Sequence, residues 1–135
     1  MNLIYLLTPF SAWICAGLLK FFINSVREHK LAFNLIGYGG FPSNHSTIIS
    51  SAVVQVAIQE GISNPAFGVG IAAAFIIMLD AVSLRREVGR HARILNKLSH
   101  DSEILRVRMG HKPYEIVAGI ILGGIVAYTL NLILQ

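Results

Sequence analysis

Ile71-Ala72-Ala73-Ala74-Phe75-Ile76-Ile77-Met78-Leu79 decides the fold class, because no face of a helix built from it carries a charge. Helices of a soluble bundle turn a polar stripe to water. This stretch has none, and neither has Ile116–Tyr128. Both lie within apolar segments close to the roughly 20 residues that a bilayer crossing takes. The whole chain of 135 residues is 54% hydrophobic and only 13% charged, far from ordinary soluble composition. A soluble four-helix bundle is the competing reading, and the uncharged faces argue against it. Four spans are predicted, at Leu3–Ile23, Ser43–Gln59, Pro65–Leu84 and Ile116–Leu134. The expected fold class is thus all-α: one domain, residues 1–135, forming an integral membrane bundle of about four transmembrane helices with a short amphipathic helix.

The charges orient that bundle. All 11 Lys and Arg residues fall within Lys20–Lys30 or Arg85–Lys112. With four spans these two regions share one side of the membrane, and the opposite side holds only the Glu60–Asn64 turn and the termini. The positive-inside rule puts the basic loops in the cytoplasm and both termini outside. The N-terminus lacks the basic region and small-residue cleavage site of a secretory signal, so the first segment is expected to be retained. Cys15 is the single cysteine and reads as a packing residue. Glu87–Leu98 sets Val88, Ala92, Leu95 and Leu98 against Arg90, Arg93, Asn96 and Lys97. That pattern predicts a basic amphipathic helix on the membrane surface, or a lid over a polar cavity.

Polar residues within the spans mark where helices meet. Ser43, Thr47, Ser50/Ser51 and Gln55 fall on one stripe of the second span, which should face the bundle or a wet cavity. Gly119, Gly123 and Ala127 form a ridge of small residues for close packing, within the bundle or in a homodimer. Asp80 sits near the cytoplasmic end of the third span, where a carboxylate calls for a partner. Lys20, Arg85 and Arg86 are the candidates for a structural ion pair with it.

Two clusters carry the chemistry. Gly39-Gly40-Phe41-Pro42-Ser43-Asn44-His45-Ser46 opens the second span. Pro42 suits the first helical position, the glycines allow a tight turn, and the free N–H groups of a first turn favour an anion. An ordinary N-cap beside a surface histidine is the plainer alternative. Gly110-His111-Lys112-Pro113-Tyr114-Glu115 opens the fourth span. His111 and Glu115 are four apart and share a helical face, and a carboxylate on one imidazole nitrogen makes the other a better base or nucleophile. By topology both clusters meet Lys20, Arg85 and Arg86 at one end of the bundle. Cations there would hold a phosphate, while histidines attack phosphorus and protonate the leaving oxygen.

These residues resemble the divergent membrane branch of the type-2 phosphatidic acid phosphatase and vanadium haloperoxidase superfamily. Its motifs are Lys-x6-Arg-Pro, Pro-Ser-Gly-His and Ser-Arg-x5-His-x3-Asp. Lys20 and Arg27 have the first spacing, with Glu28 in place of proline. Pro42-Ser43-Asn44-His45 matches the second, with Asn44 for glycine, and His111 with Glu115 matches the end of the third, with glutamate for aspartate. Leu105 stands six residues before His111, where arginine is expected, with Arg106 and Arg108 nearby. The divergent branch is matched further by Asp80 with Arg85-Arg86 and by Leu95-Asn96-Lys97-Leu98.

The resemblance implies that His111 is the nucleophile, oriented by Glu115, and that His45 is the general acid. It implies that Lys20, Ser43, Arg85 and Arg86 hold the phosphoryl oxygens, with Asp80, Arg27 and Asn44 in support. Members of this kind need no metal, and no cofactor is expected. The implied partners are the bilayer and a membrane lipid phosphate or diphosphate as substrate, with no nucleic acid. Two alternatives stay open from the residues: a non-enzymatic membrane protein that keeps the anion site, and a metal or ion-conducting site using His45, His111, Asp80 and Glu115.

Overall fold

The polar stripe of the second span becomes the interior of the bundle. The computed structural model describes residues 3–29, 31, 40–98, 105–107 and 109–134. Its regular structure is helical throughout these residues: α1 (Ile4–Glu28), α2 (Asn44–Glu60), α3 (Pro65–Val82), α4 (Leu84–Leu98) and α5 (Pro113–Leu134). Three segments are long and apolar enough to cross a membrane: Ile4–Glu28, the stretch from Pro65 that holds α3, and Pro113–Leu134. The fourth helix of the bundle, α2, has 17 residues and is the polar one, packed among α1, α3 and α5. Its Ser46, Thr47, Ser51 and Gln55 are fully buried.

The outward surfaces are apolar. Trp13, Leu18 and Phe22 on α1, Val69, Phe75 and Ile76 on α3, and Ile121, Ile125 and Tyr128 on α5 are all exposed. Large apolar side chains outside and hydroxyls inside are what a chain solvated by lipid requires, since lipid rewards no polar contact. On α1 the buried positions Ile4, Thr8, Ala12, Ala16 and Lys20 recur every fourth residue, so one stripe faces the bundle along the helix.

Hydrogen bonds fix the helix directions. Thr8 Oγ1 donates to Gln55 Oε1 at 3.3 Å, and Tyr5 donates to Glu60, so the start of α1 meets the end of α2. Ser43 N donates to the Glu115 carbonyl at 2.9 Å, and Gln59 Nε2 donates to Asn131 Oδ1 at 2.6 Å. Hence α2 and α5 run side by side in the same direction. Their backbones come close together. A Cβ on Gly119 would lie 2.6 Å from the Ser43 carbonyl, and one on Gly123 would lie 2.5 Å from the Thr47 carbonyl. The small-residue ridge of α5 therefore packs on α2 within the chain.

Several predicted boundaries are corrected. The first span was expected to stop at Ile23, with Arg27 beyond it; instead α1 continues to Glu28 and closes on His29 in the left-handed region, φ 51°. Asn-Ser-Val-Arg-Glu contains no helix breaker, so the helix simply outlasts its apolar segment. Pro42 is not the first helical residue. Ser43 caps α2 with an extended backbone and accepts a bond from Ser46 N, and this hydroxyl cap outweighs the preference of proline for the first turn. The third span ends at Val82, not Leu84, and the amphipathic helix begins at Leu84, before the expected Glu87. The fourth span starts at Pro113, before the expected Ile116, with proline at its first position. Gly39 and Arg108 lie outside the described residues.

The packing gives a direct test. Gly123→Ala puts a methyl group against the α2 backbone and is expected to destabilise by about 1–3 kcal/mol through overpacking. Gly124→Ala, which meets nothing within 4 Å, should leave the thermal midpoint in detergent unchanged or slightly raised.

Candidate functional site

The later part of α1 around Lys20, the start of α2, the end of α3 and the start of α5 converge, and most of the candidate residues meet there. The local chemistry of α5 builds the first half. Glu115 is the third residue of the helix, and its Oε2 accepts from the backbone N of Lys112 at 3.0 Å, the reciprocal arm of a capping box. The same oxygen lies 2.9 Å from Nδ1 of His111. One carboxylate thus caps the helix and orients the imidazole. With Nδ1–H donated to the carboxylate, Nε2 keeps its lone pair. His111 and Glu115 are 5% and 7% exposed, so the pair is held in a setting that water barely reaches.

The His111 backbone is fixed as firmly as its ring. His111 N donates to the Ala81 carbonyl at 3.0 Å, and Arg86 Nη2 donates to the His111 carbonyl at 3.1 Å. Gly110, at φ 86°, leaves no room for a side chain: a Cβ there would lie 2.8 Å from Arg86 Cγ. This junction of α3 and α4 is therefore the seat of the loop that carries His111.

His45 supplies the second half. Its ring centroid is 6.3 Å from that of His111, and it sits on the open side of the site. Arg85 bridges it to Asp80: Arg85 Nε donates to Asp80 Oδ2 at 3.0 Å, and Nη2 lies 3.3 Å from His45 Nε2. An arginine can only donate, so in this arrangement His45 Nε2 is the acceptor. Asp80 thus has the structural ion pair expected of it, with Arg85 as the partner. Lys20, 5% exposed, interacts electrostatically with Glu115 and Arg106.

Not every expected site residue joins this group. Ser43 has no exposed surface, and its hydroxyl accepts from Ser46 N at 3.4 Å and Ser46 Oγ at 3.0 Å. It caps the helix and offers a ligand no surface in this conformation. Arg86 reaches the His111 backbone, with no contact to His45. Arg27 is exposed in the last turn of α1, seven residues past Lys20 and so about 10 Å further along the axis. Asn44 begins α2 beside the site, and its Oδ1 is shielded without a hydrogen-bond partner among the described residues. Among the described residues no three His, Cys, Asp or Glu side chains gather as a metal would need.

Sequence reasoning gave no role to two residues that the fold brings in. Asn96 on α4 donates through Nδ2 to the Leu105 carbonyl and accepts from Leu105 N, both at 2.8 Å. It pairs with the segment as a backbone strand would. Gly89 of α4 makes the matching close approach, where a Cβ would lie 2.6 Å from the Val107 carbonyl. Arg106, next to the clamped Leu105, is thereby brought near Lys20. Within Leu95-Asn96-Lys97-Leu98, the role of Asn96 depends on a partner nine residues further along the chain.

Residues 1–126 match the Divergent PAP2 family. The chain belongs to this family. It is also 30% identical to "Uncharacterized membrane protein YuiD" of Bacillus subtilis (strain 168), over 96% of this chain and 92% of that one. No solved structure matches. Family membership, the relative and the apolar helices together make this a membrane protein of the divergent PAP2 family.

The Asn96 clamp is open to measurement. Asn96→Ala removes both bonds to Leu105, and each such bond is worth about 1 kcal/mol. Hydrogen exchange at the Leu105 amide should accelerate about tenfold or more, with exchange along α2 unchanged.

Proposed function

We propose that this protein is a metal-independent membrane phosphatase that hydrolyses a lipid phosphate or diphosphate through a phosphohistidine at His111. The observation that carries this reading is the buried His111–Glu115 pair with the His45 ring beside it, ring centroids 6.3 Å apart, close enough for one phosphoryl group to touch both imidazoles. Arg85 and Lys20 stand beside the pair.

In the proposed cycle the lone pair on His111 Nε2 attacks phosphorus, and the bond from phosphorus to the leaving oxygen breaks. His45 gives that oxygen its proton, so the first product leaves as an alcohol or a phosphate. Water then attacks the phosphohistidine, His45 takes a proton from it, and the P–N bond breaks to release phosphate and restore both imidazoles. Glu115 holds His111 in the tautomer that exposes Nε2 and stabilises positive charge on the ring during attack. Arg85 has a double part. A phosphoryl group that draws its guanidinium onto the oxygens frees His45 Nε2 from its acceptor role, and the added negative charge favours a proton there. Arg86 works at one remove by holding the His111 carbonyl.

The placement of all 11 cations in two segments, Lys20–Lys30 and Arg85–Lys112, supports a cytoplasmic site, reached by lipids of the inner leaflet. A non-enzymatic anion-binding role would use Lys20 and Arg85 equally well, but it gives no reason for a carboxylate to orient a buried imidazole.

The test is phosphate release from lipid phosphates and diphosphates in detergent with chelator present. Wild-type protein should turn over and trap a phosphoenzyme, and His111→Ala should abolish both. Glu115→Gln should lower kcat by about 10–100-fold, as loss of an orienting carboxylate does. His45→Ala should cost about 10²–10⁴-fold on alkyl phosphates and far less on p-nitrophenyl phosphate, whose leaving group needs no proton. Saturable vanadate binding without turnover of any lipid would reject hydrolysis in favour of anion binding.

A further inference from the structure

Two grooves of almost equal size flank α3 on its membrane-facing surface. One, of about 300 Å³, lies towards α5 and is lined by apolar residues, among them Phe75, Met78 and Val117. The other, of about 320 Å³, lies between α2 and α3 and is lined by Ile48, Ile49, Ile76 and Ile77, with His45, Asp80 and Arg85 at one end. Volume does not separate them, but the polar end does.

The second groove is built by helix periodicity. Ile48 and Ile49 follow His45 by three and four residues, one turn deeper on α2. Ile76 and Ile77 precede Asp80 by four and three, one turn deeper on α3, which runs the opposite way. Two isoleucine pairs therefore line up below one charged end, and the groove descends from the His45–Arg85 contact into the hydrocarbon layer. A helix with its side chains is about 10–12 Å across, too thick for this volume. A single hydrocarbon chain is slender enough, and Arg85 at the head suits an anionic group.

Resting on the phosphatase reading above, we infer that the α2–α3 groove holds a hydrocarbon chain of the lipid whose phosphate lies between His45 and His111. The chain gains little free energy by leaving the bilayer for isoleucines, because lipid tails are equally apolar. The groove therefore orients more than it attracts. It aims the phosphate at His111, and it selects against lipids whose first chain segment is too bulky to lie between the two isoleucine pairs.

The experiment uses phosphatidic acid carrying a diazirine in mid-chain, mixed into phosphatidylcholine vesicles containing the full-length protein. Photolabelling is expected to concentrate on the peptides with Ile48–Ile49 and Ile76–Ile77. Ile76→Trp, at a site already 66% exposed, should reduce that labelling several-fold and lower the ratio of kcat/KM for long-chain phosphatidic acid to that for phenyl phosphate at least tenfold. Val117→Trp in the other groove should change neither. Labelling spread evenly around the bundle, centred on Phe75 and Val117, or undiminished by Ile76→Trp overturns the inference. Labelling at the isoleucines by a protein that hydrolyses no lipid retains the groove and rejects the phosphatase. Hydrolysis with labelling elsewhere does the reverse.

Discussion

The close approach of α2 and α5 is the constraint on which the rest depends. With no side chain at Gly119 or Gly123, the α5 backbone presses on Ser43, Thr47 and Ser51. That closeness lets Ser43 N reach the Glu115 carbonyl, which locks the two helix starts in register. His45 and His111 each sit within a few residues of the lock, so their separation follows from it. In lipid there is no hydrophobic drive for helices to associate, and tight backbone packing with interhelical hydrogen bonds must replace it. The glycines therefore set both the closeness of the two helices and the separation of the two imidazoles.

Helix polarity favours an anion at one half of the site. Two helix N-termini, those of α2 and α5, point at the site, and α3 ends beside it. Arg85 and Arg86 follow the negative end of α3 but sit in the first turn of α4, so the dipoles there offset each other, and Lys20 stands about two turns before the end of α1. Glu115 sits in the first turn of α5, where a carboxylate is favoured. Parallel α2 and α5 bring like dipole ends together, a repulsion that an anion between them would relieve.

Much of this was legible because the membrane imposes strong rules. Ile71–Leu79 betrayed its environment by lacking any charge, and the stripe Ser43, Thr47, Ser51 and Gln55 betrayed the interior by being the polar face of an apolar chain. His111 and Glu115 were readable at four-residue spacing, although their bond forms through a capping arm at the helix start and not along a continuous helix. What the sequence hid was of two kinds. The length of α1 was hidden because a helix need not stop where its apolar residues do. The N-cap at Ser43 is the plainer reading of its cluster and holds, whereas the roles of Arg86 and Asn96 were hidden because each bonds to a distant backbone group, which leaves no mark on residue type. Arginine side by side with arginine, at positions 85 and 86, gave no hint that one would face His45 and the other the His111 carbonyl.

This division of labour between adjacent arginines bears on how the family pattern can change and still work. The expected arginine six residues before His111 is Leu105 here, and Leu105 contributes only its backbone, to Asn96. Arg106 follows it in a segment that needs a scaffold: α4 stands close enough for Asn96 to grip Leu105, and Gly89 admits the chain. The amphipathic helix is thus part of the site's construction. Its exposed Val88, Leu95 and Leu98 suit the membrane surface, while its buried side holds the segment that leads to His111. One surface helix thus braces the segment that carries His111.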